Sequence, residues 1–211
     1  MADATPTTLP PLPPNHHRDY PGFAGISGAI AGLTMVPGAG PVARLAVDLV
    51  AVNGQDHVVD VGCGPGSAVR AAARRGTAAV TGVDPAPVML KLARWLTPRA
   101  APVTWSEGTA EALPLADHSA TVLWSLKTVH HWSDLDAGLA EAHRVLVPGG
   151  RLLAIERHSK PGARGLASHG WTESQAQAFA DMCGGSGFTN SSVQARSIGA
   201  RHLRIVQAEN G

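Results

Sequence analysis

Cysteine and charge are both scarce in this sequence. Its 211 residues include only two cysteines, Cys63 and Cys183, and no Cys-x-x-C pair, which excludes a disulfide framework and a thiolate zinc site. Charged residues make up 16% and the formal net charge is +1, which gives no electrostatic basis for binding nucleic acid or an anionic membrane. We therefore expect a globular protein of the reducing cytoplasm with neither of these partners.

Uninterrupted apolar runs are also missing. Residues 23–41 carry no charge, but they are rich in glycine and contain two prolines, so they do not predict a membrane-spanning helix. We expect a disordered, Pro-rich tail over residues 1–15. Residues 16–52 are predicted to form a cover segment and a helix over a site, and residues 53–211 the main domain.

The remaining sequence alternates between short apolar runs typical of strands and segments with helical periodicity. Five strands are predicted in this alternation, and two more close the chain. The five cover residues 57–62, 78–84, 102–108, 120–126 and 151–157. The alternation favours an α/β fold with one doubly wound parallel sheet. Residues that directly follow each strand are the candidates for function, since ligands bind beyond the carboxyl ends of such strands.

Capping patterns predict where two of the helices begin. Ser133 is a candidate N-cap for the helix after the fourth strand, and Thr172 with Gln175 forms a capping box for the helix after the fifth. Residues 148–150, Pro-Gly-Gly, are expected to break the chain just before the fifth strand.

A glycine-rich turn follows the first predicted strand, in the segment "VVDVGCGPGSAV". Its spacing allows a tight turn and a close backbone approach to a ligand. Asp84 ends the second strand, where a carboxylate can accept both hydroxyls of an adenosine ribose. A nicotinamide nucleotide fits less well, because Ser67 occupies the position of the last glycine in its fingerprint. The residues of the turn are Asp60, Gly62, Gly64 and Gly66.

The order of several motifs resembles one known family. The segments are "VVDVGCGPG", "VTGVDPAPVMLKLAR", "EGTAEALPLAD", "VHHW" and "AEAHRVLVPGGRLLAIER". Together they resemble the class I S-adenosylmethionine-dependent methyltransferases, in the small group similar to ubiquinone and menaquinone methyltransferases. The resemblance implies a Rossmann-like, doubly wound sheet of seven strands, six parallel and the last antiparallel, in a single domain over residues 53–211.

The same resemblance implies S-adenosyl-L-methionine as the cofactor. It places Asp84 at the ribose and Pro85 beside the adenine. Thr109 stands where the family often has an aspartate that accepts from the adenine amino group. The full set of implied cofactor-binding residues is Asp60, Gly62, Gly64, Gly66, Asp84, Pro85, Thr109, Ala110, Glu111 and Lys127.

Histidines are concentrated after the fourth and fifth strands. His131 is the first candidate for a general base and His130 the second, with Glu156 beside them, because imidazole is suited to removing a proton near neutral pH. One or both histidines could instead only line the pocket. A metal site is the weaker interpretation, since adjacent side chains usually point apart, and no metal is assigned.

Several functions remain open at this stage. We expect methyl transfer to a hydroxyl of a small molecule or saccharide, because histidines suited to proton removal are concentrated at the strand ends. Five tryptophans further favour a sugar, since their faces suit sugar rings, and by analogy a mannoside is one such acceptor. The alternatives are N- or C-methylation with a passive histidine pair, and a cofactor-binding regulatory protein without catalysis. A homodimer that completes the acceptor pocket is also compatible with the sequence.

Overall fold

The structure is a computed structural model and describes residues 39–211, except for the side chain of Leu166. The predictions for the Pro-rich tail and for most of the cover segment lie outside the described residues. The helices are α1 (residues 39–49), α2 (Ser67–Ala73), α3 (Pro87–Leu96), α4 (Leu135–Val145) and α5 (Glu173–Gly185). The strands are β1 (His57–Val61), β2 (Ala79–Asp84), β3 (Val103–Glu107), β4 (Ala120–Leu126), β5 (Leu146–Arg157), β6 (Phe188–Ile198) and β7 (Arg201–Asn210).

The seven strands form one sheet in the order β3-β2-β1-β4-β5-β7-β6. The pairs among β1 to β5 are parallel, whereas β7 is antiparallel to both β5 and β6. Six strands therefore share one direction and the last runs against them, which confirms the predicted topology. The strand order reverses between β1 and β4, so the expected crevice opens beyond the carboxyl ends of these two strands.

Both faces of the sheet are covered. Alternate strand residues such as Val58 and Leu153 pack with α1, α2 and α3 on one face, whereas Val59 and Leu152 pack with α4 and α5 on the other. This alternation follows from the two-residue period of a strand. No helix within residues 39–211 combines the length and apolarity that a membrane crossing requires.

Two local predictions were wrong. Helix α4 is capped by Asp134, whose side chain accepts from the Ala137 N–H, and not by Ser133. Strand β5 begins at Leu146, before the Pro-Gly-Gly break that was expected to precede it. It pairs there with Ala120, and the register then shifts before Val122, so the sheet absorbs the irregularity as a bulge. The capping box predicted for α5 is confirmed.

Tryptophan serves mainly as core material. Trp124 and Trp171 are fully buried and Trp132 is nearly so, because large aromatic rings fill the space between sheet and helices. Only Trp95, on α3, is a strongly exposed large apolar side chain among the described residues. The tryptophan content thus gives no support to a sugar-binding surface, contrary to the sequence-based expectation.

Candidate active site

The glycine turn after β1 has three glycines in the left-handed region, and they serve different purposes. A Cβ on Gly62 would lie 2.7 Å from Thr128, and one on Gly66 would lie 2.3 Å from Trp105. These two glycines are required by the packing of the protein itself. A Cβ on Gly64 would meet nothing within 4 Å. Gly64 therefore faces open space and is the point where a ligand can approach the backbone.

Asp84 joins the glycine turn to the loop after β2. Its carboxylate accepts from the Gly64 N–H at 2.8 Å and from the Ala86 N–H at 2.9 Å. Burial raises the pKa of Asp84, and these two backbone donors lower it. Carboxylate oxygens retain lone pairs after accepting one bond each, so Asp84 fits the predicted contact with ribose hydroxyls.

Asp60 is a buried carboxyl at the base of the same turn. Burial raises its pKa to about 7, the Trp124 side chain lowers it, and the negative charge of Asp84 raises it. The Trp124 indole N–H lies against this carboxyl but makes no hydrogen bond of normal geometry. No ion pair of residues 39–211 neutralises Asp60. A buried carboxyl of this kind is stabilised by a cation, and Asp60 lies two residues before the first glycine of the turn.

These features fit the implied cofactor. Its methionine part carries cationic groups that suit Asp60, and its ribose carries hydroxyls that suit Asp84. The turn at Gly64 leaves room for the cofactor to contact the protein backbone.

The remaining candidates for the cofactor lie around this turn with differing exposure. Ala110 is buried, whereas Thr109 and Pro85 are exposed at the rim. The Glu111 carboxylate accepts from the backbone N–H groups of Ser133 and Asp134 at 2.5 and 3.2 Å. Its observed contacts therefore hold the entry to α4.

A buried histidine–carboxylate pair follows β4. The chain ends that strand in a short 3₁₀ turn, Val129–His131, which turns His130 toward the end of β5. His130 Nδ1 lies 2.9 Å from a Glu156 carboxylate oxygen, and the two side chains are 7% and 0% exposed. The carboxylate favours the tautomer with the proton on Nδ1, which leaves Nε2 as the basic atom.

Two further imidazole rings adjoin this pair. The centroid of the His131 ring lies 4.0 Å from that of His130, and the His169 ring lies 5.4 Å from it. His169 reaches this position because the chain after β5 folds back, with the Trp171 N–H donating to the Arg157 carbonyl at 2.8 Å. A Cβ on Gly170 would lie 2.3 Å from that carbonyl, so the return requires glycine. Three histidines thus converge beside one buried carboxylate.

Metal binding has no geometric basis in the described part of the chain. No group of three or more histidine, cysteine, aspartate or glutamate side chains there is arranged to hold an ion. Glu156 makes its contact with His130, rather than with Lys127 or Arg157.

Lys127 directly follows β4, beside the carboxyl end of β5. Its backbone has a positive φ of 64° and its N–H donates to the Ile155 carbonyl at 2.6 Å. Burial lowers the pKa of Lys127, repulsion from Arg201 and Arg157 lowers it further, and Glu156 opposes them. The side chain is therefore a half-buried cation in a locally positive environment.

Sequence reasoning missed residues that support the site without facing a ligand. Thr128 packs on Gly62, donates to the Val61 carbonyl at 2.9 Å and contacts the Ser125 hydroxyl at 2.6 Å. The Arg70 guanidinium donates to the Pro65 carbonyl at 2.6 Å. The only sequence signal for Ser125 and Thr128 was the presence of two small polar residues at the end of β4.

Comparison with known proteins gives matches over this same region. The family described as "Methyltransferase domain" matches residues 59–154. Demethylmenaquinone methyltransferase of Tropheryma whipplei is 38% identical over 113 residues, which is 54% of this chain and 46% of the relative. The ubiquinone/menaquinone biosynthesis C-methyltransferase UbiE of Rubrivivax gelatinosus is 39% identical over 115 residues, 54% of this chain and 44% of the relative. The chain spans about half the length of these curated relatives.

A solved structure shows the same architecture. A SAM-dependent methyltransferase from Aquifex aeolicus superposes with a TM-score of 0.72 and covers 87% of this chain and 98% of its own. The sequence identity is 15%, so this likeness shows the fold. The matched domain in the sequence comparison contains the glycine turn, the residues after β4 and most of β5.

Proposed function

We propose that the chain is a class I S-adenosylmethionine-dependent methyltransferase, an enzyme that methylates a small molecule bearing an ionisable hydroxyl. The observation that carries the proposal is the buried His130–Glu156 pair, which lies at the carboxyl edge of the sheet together with the glycine turn. A methyl donor held at the turn and a base held after β4 are the two components that such a reaction needs.

The cofactor, when bound, supplies an electrophilic methyl group on a positively charged sulfur. The roles of the chain's own residues follow from their contacts. Asp60 offers negative charge beneath the cationic part, Asp84 orients the ribose, and Gly64 allows the close approach. Buried, fixed groups stabilise charge more strongly than water does, because they need no reorganisation during the reaction.

The acceptor's proton goes to His130. Its Nε2 takes the hydroxyl proton, and Glu156 holds the ring through Nδ1 and stabilises the imidazolium that forms. The acceptor oxygen becomes negative and pushes its electron pair toward the methyl group, either directly or through an aromatic ring. A positioned base of this kind contributes roughly 10²- to 10⁴-fold in rate. His130 is therefore our first candidate for the base, ahead of His131.

The acceptor class that we favour is a quinol-type ring, methylated on a ring carbon beside a hydroxyl. The curated relatives supply this choice, since their names specify demethylmenaquinone and ubiquinone/menaquinone biosynthesis. Removal of the hydroxyl proton makes the neighbouring ring carbon nucleophilic. After methyl transfer this carbon loses its proton to water, which restores the aromatic ring, and His130 returns the hydroxyl proton to the oxygen. O-methylation of the same hydroxyl is the second candidate, because the His130–Glu156 pair would serve it equally. A carbohydrate acceptor is not retained, because three of the five tryptophans lie in the core.

The proposal is tested with methyl-labelled S-adenosylmethionine and a panel of reduced quinols and catechols. We expect labelled product, with mass spectrometry and NMR placing the label on a ring carbon. Label on oxygen would support the second candidate instead. An Asp84→Ala chain serves as the negative control, since it lacks the ribose contact. Failure of the purified full chain to bind the cofactor or to label any acceptor would contradict the proposal.

A further inference from the structure

We propose that the acceptor carries a second, anionic group, a carboxylate or a phosphate, and that Lys127 and Arg201 hold it. This inference rests on the proposed function and concerns the acceptor side of the same crevice. It narrows the proposed acceptor class to a hydroxylated, quinol-type ring that also carries an acidic group.

The topology brings the two cations to one edge. Lys127 directly follows β4 and Arg201 begins β7, and these strands flank β5 in the sheet. The Lys127 N–H donates to the Ile155 carbonyl at 2.6 Å, and the His158 N–H donates to the His202 carbonyl at 2.8 Å. Lys127 and Arg201 lie two strand spacings apart, about 10 Å across the sheet. They are also about three residues apart along it, because Glu156 pairs with Arg204, so their Cα atoms are separated by about 14 Å. One anion between long side chains can contact both.

The same edge borders the histidine cluster. Arg157 ends β5, and its Nε donates to the His169 carbonyl at 3.1 Å. Arg157 and Arg201 lie on the same face of the sheet, because Leu203 pairs with Arg157 and lies two residues from Arg201. An anion held here would therefore lie beside the connection that carries His169.

Within residues 39–211, no ion pair includes Lys127 or Arg201. Glu156, the described carboxylate that acts on Lys127, is engaged by His130. Repulsion from Arg201 also lowers the pKa of Lys127, after the larger effect of burial. A bound anion would relieve this repulsion and gain charge-assisted hydrogen bonds.

The carboxylate on the methionine part of the cofactor is another anion that Lys127 could bind, and the sequence predicted Lys127 as a cofactor-binding residue. The position of Arg201 favours the acceptor. It begins β7, three strands from the glycine turn of β1, which is about 14 Å across the sheet. A subsite that uses both cations is therefore directed away from the cofactor.

The test measures binding of two small probes to the full chain saturated with S-adenosylhomocysteine. Catechol and 3,4-dihydroxybenzoate share the hydroxyls and differ only in a carboxylate. We expect the carboxylate probe to bind at least about tenfold more tightly. We expect this preference to disappear in Lys127→Gln and in Arg201→Gln, and to persist in the control Lys91→Gln, which changes an exposed lysine on α3.

Cofactor affinity separates the possible sources of the anion. If Lys127→Gln weakens S-adenosylmethionine binding and leaves the preference between probes unchanged, the anion is the cofactor's carboxylate and the inference fails. Equal binding of the two probes by the unmodified chain also overturns it. Methyl transfer is scored separately, so a chain that binds the carboxylate probe selectively without methylating any acceptor sustains the subsite and refutes the proposed function.

Discussion

Replacing Asp60 by asparagine should stabilise the ligand-free protein. The carboxyl is buried and its pKa is raised from 3.8 to about 7, chiefly by burial. Between these two values the folded chain binds more protons at this group than the unfolded chain does, so its stability falls as pH rises through that window. Asparagine has nearly the same shape and cannot ionise, which removes the cost.

The shift sets the magnitude. A rise from 3.8 to about 7, at about 1.4 kcal/mol per unit, gives an upper limit of about 4 kcal/mol. Since local relaxation reduces such values, we expect asparagine to add about 2 to 4 kcal/mol to the free energy of unfolding at pH 8. At pH 5, which is only a short way above the pKa of 3.8 in the unfolded chain, the same reasoning gives a gain of about 1 to 2 kcal/mol in the free energy of unfolding.

The assay is reversible unfolding in urea at pH 5 and pH 8 without cofactor. The Asp60→Asn chain should gain more over the wild type at pH 8 than at pH 5. The exposed Asp136→Asn chain is the matched control and should follow the wild type at both values. Asp60→Asn should also bind S-adenosylmethionine more weakly, because the negative charge beneath the cationic groups is gone. If Asp60→Asn is no more stable than the wild type at pH 8, the ionised Asp60 carboxylate does not destabilise the ligand-free fold and the reasoning is wrong.

Three other substitutions have distinct expected outcomes. Gly66→Ala should destabilise the fold by about 1 to 3 kcal/mol, since the new methyl group would collide with Trp105 at 2.3 Å; thermal unfolding measures this. Gly64→Ala, at a similar backbone angle but facing open space, should cost only about 1 kcal/mol and should mainly raise the Kd for the cofactor in calorimetry. Equal effects of the two on stability would contradict the division of roles. Glu156→Gln should lower kcat by at least about tenfold with cofactor affinity unchanged, and an unchanged kcat would remove the carboxylate from the mechanism.

Most of the fold could be predicted because its determinants are local. Period-two and helical apolar patterns located all seven strands, and the order of motifs along the chain implied the antiparallel last strand. The errors arose where the choice depended on neighbours. Ser133 and Asp134 are both good N-cap residues, and only the approach of Glu111 to the backbone of both determines how the chain enters α4.

The sequence predicted which residues form the site but not which side chains contact one another. Asp60 and Asp84 lie at the ends of the neighbouring strands β1 and β2, and the glycines follow β1, so their proximity follows from topology. The choice between His130 and His131 depends on the 3₁₀ turn after β4, which has no clear sequence signature. The approach of His169 depends on a backward fold of the chain that only Gly170 permits. Such contacts between distant segments cannot be obtained from periodicity.

The most direct test of the central claim is the single-turnover rate of methyl transfer by His130→Ala at saturating S-adenosylmethionine. His118→Asn is the matched control, because it removes an exposed histidine at the opposite end of β4. If His130 is the base, His130→Ala should lose about 10²- to 10³-fold in rate and keep the wild-type Kd for the cofactor, while His118→Asn keeps both. A His130→Ala chain that transfers the methyl group at the wild-type rate would contradict the claim.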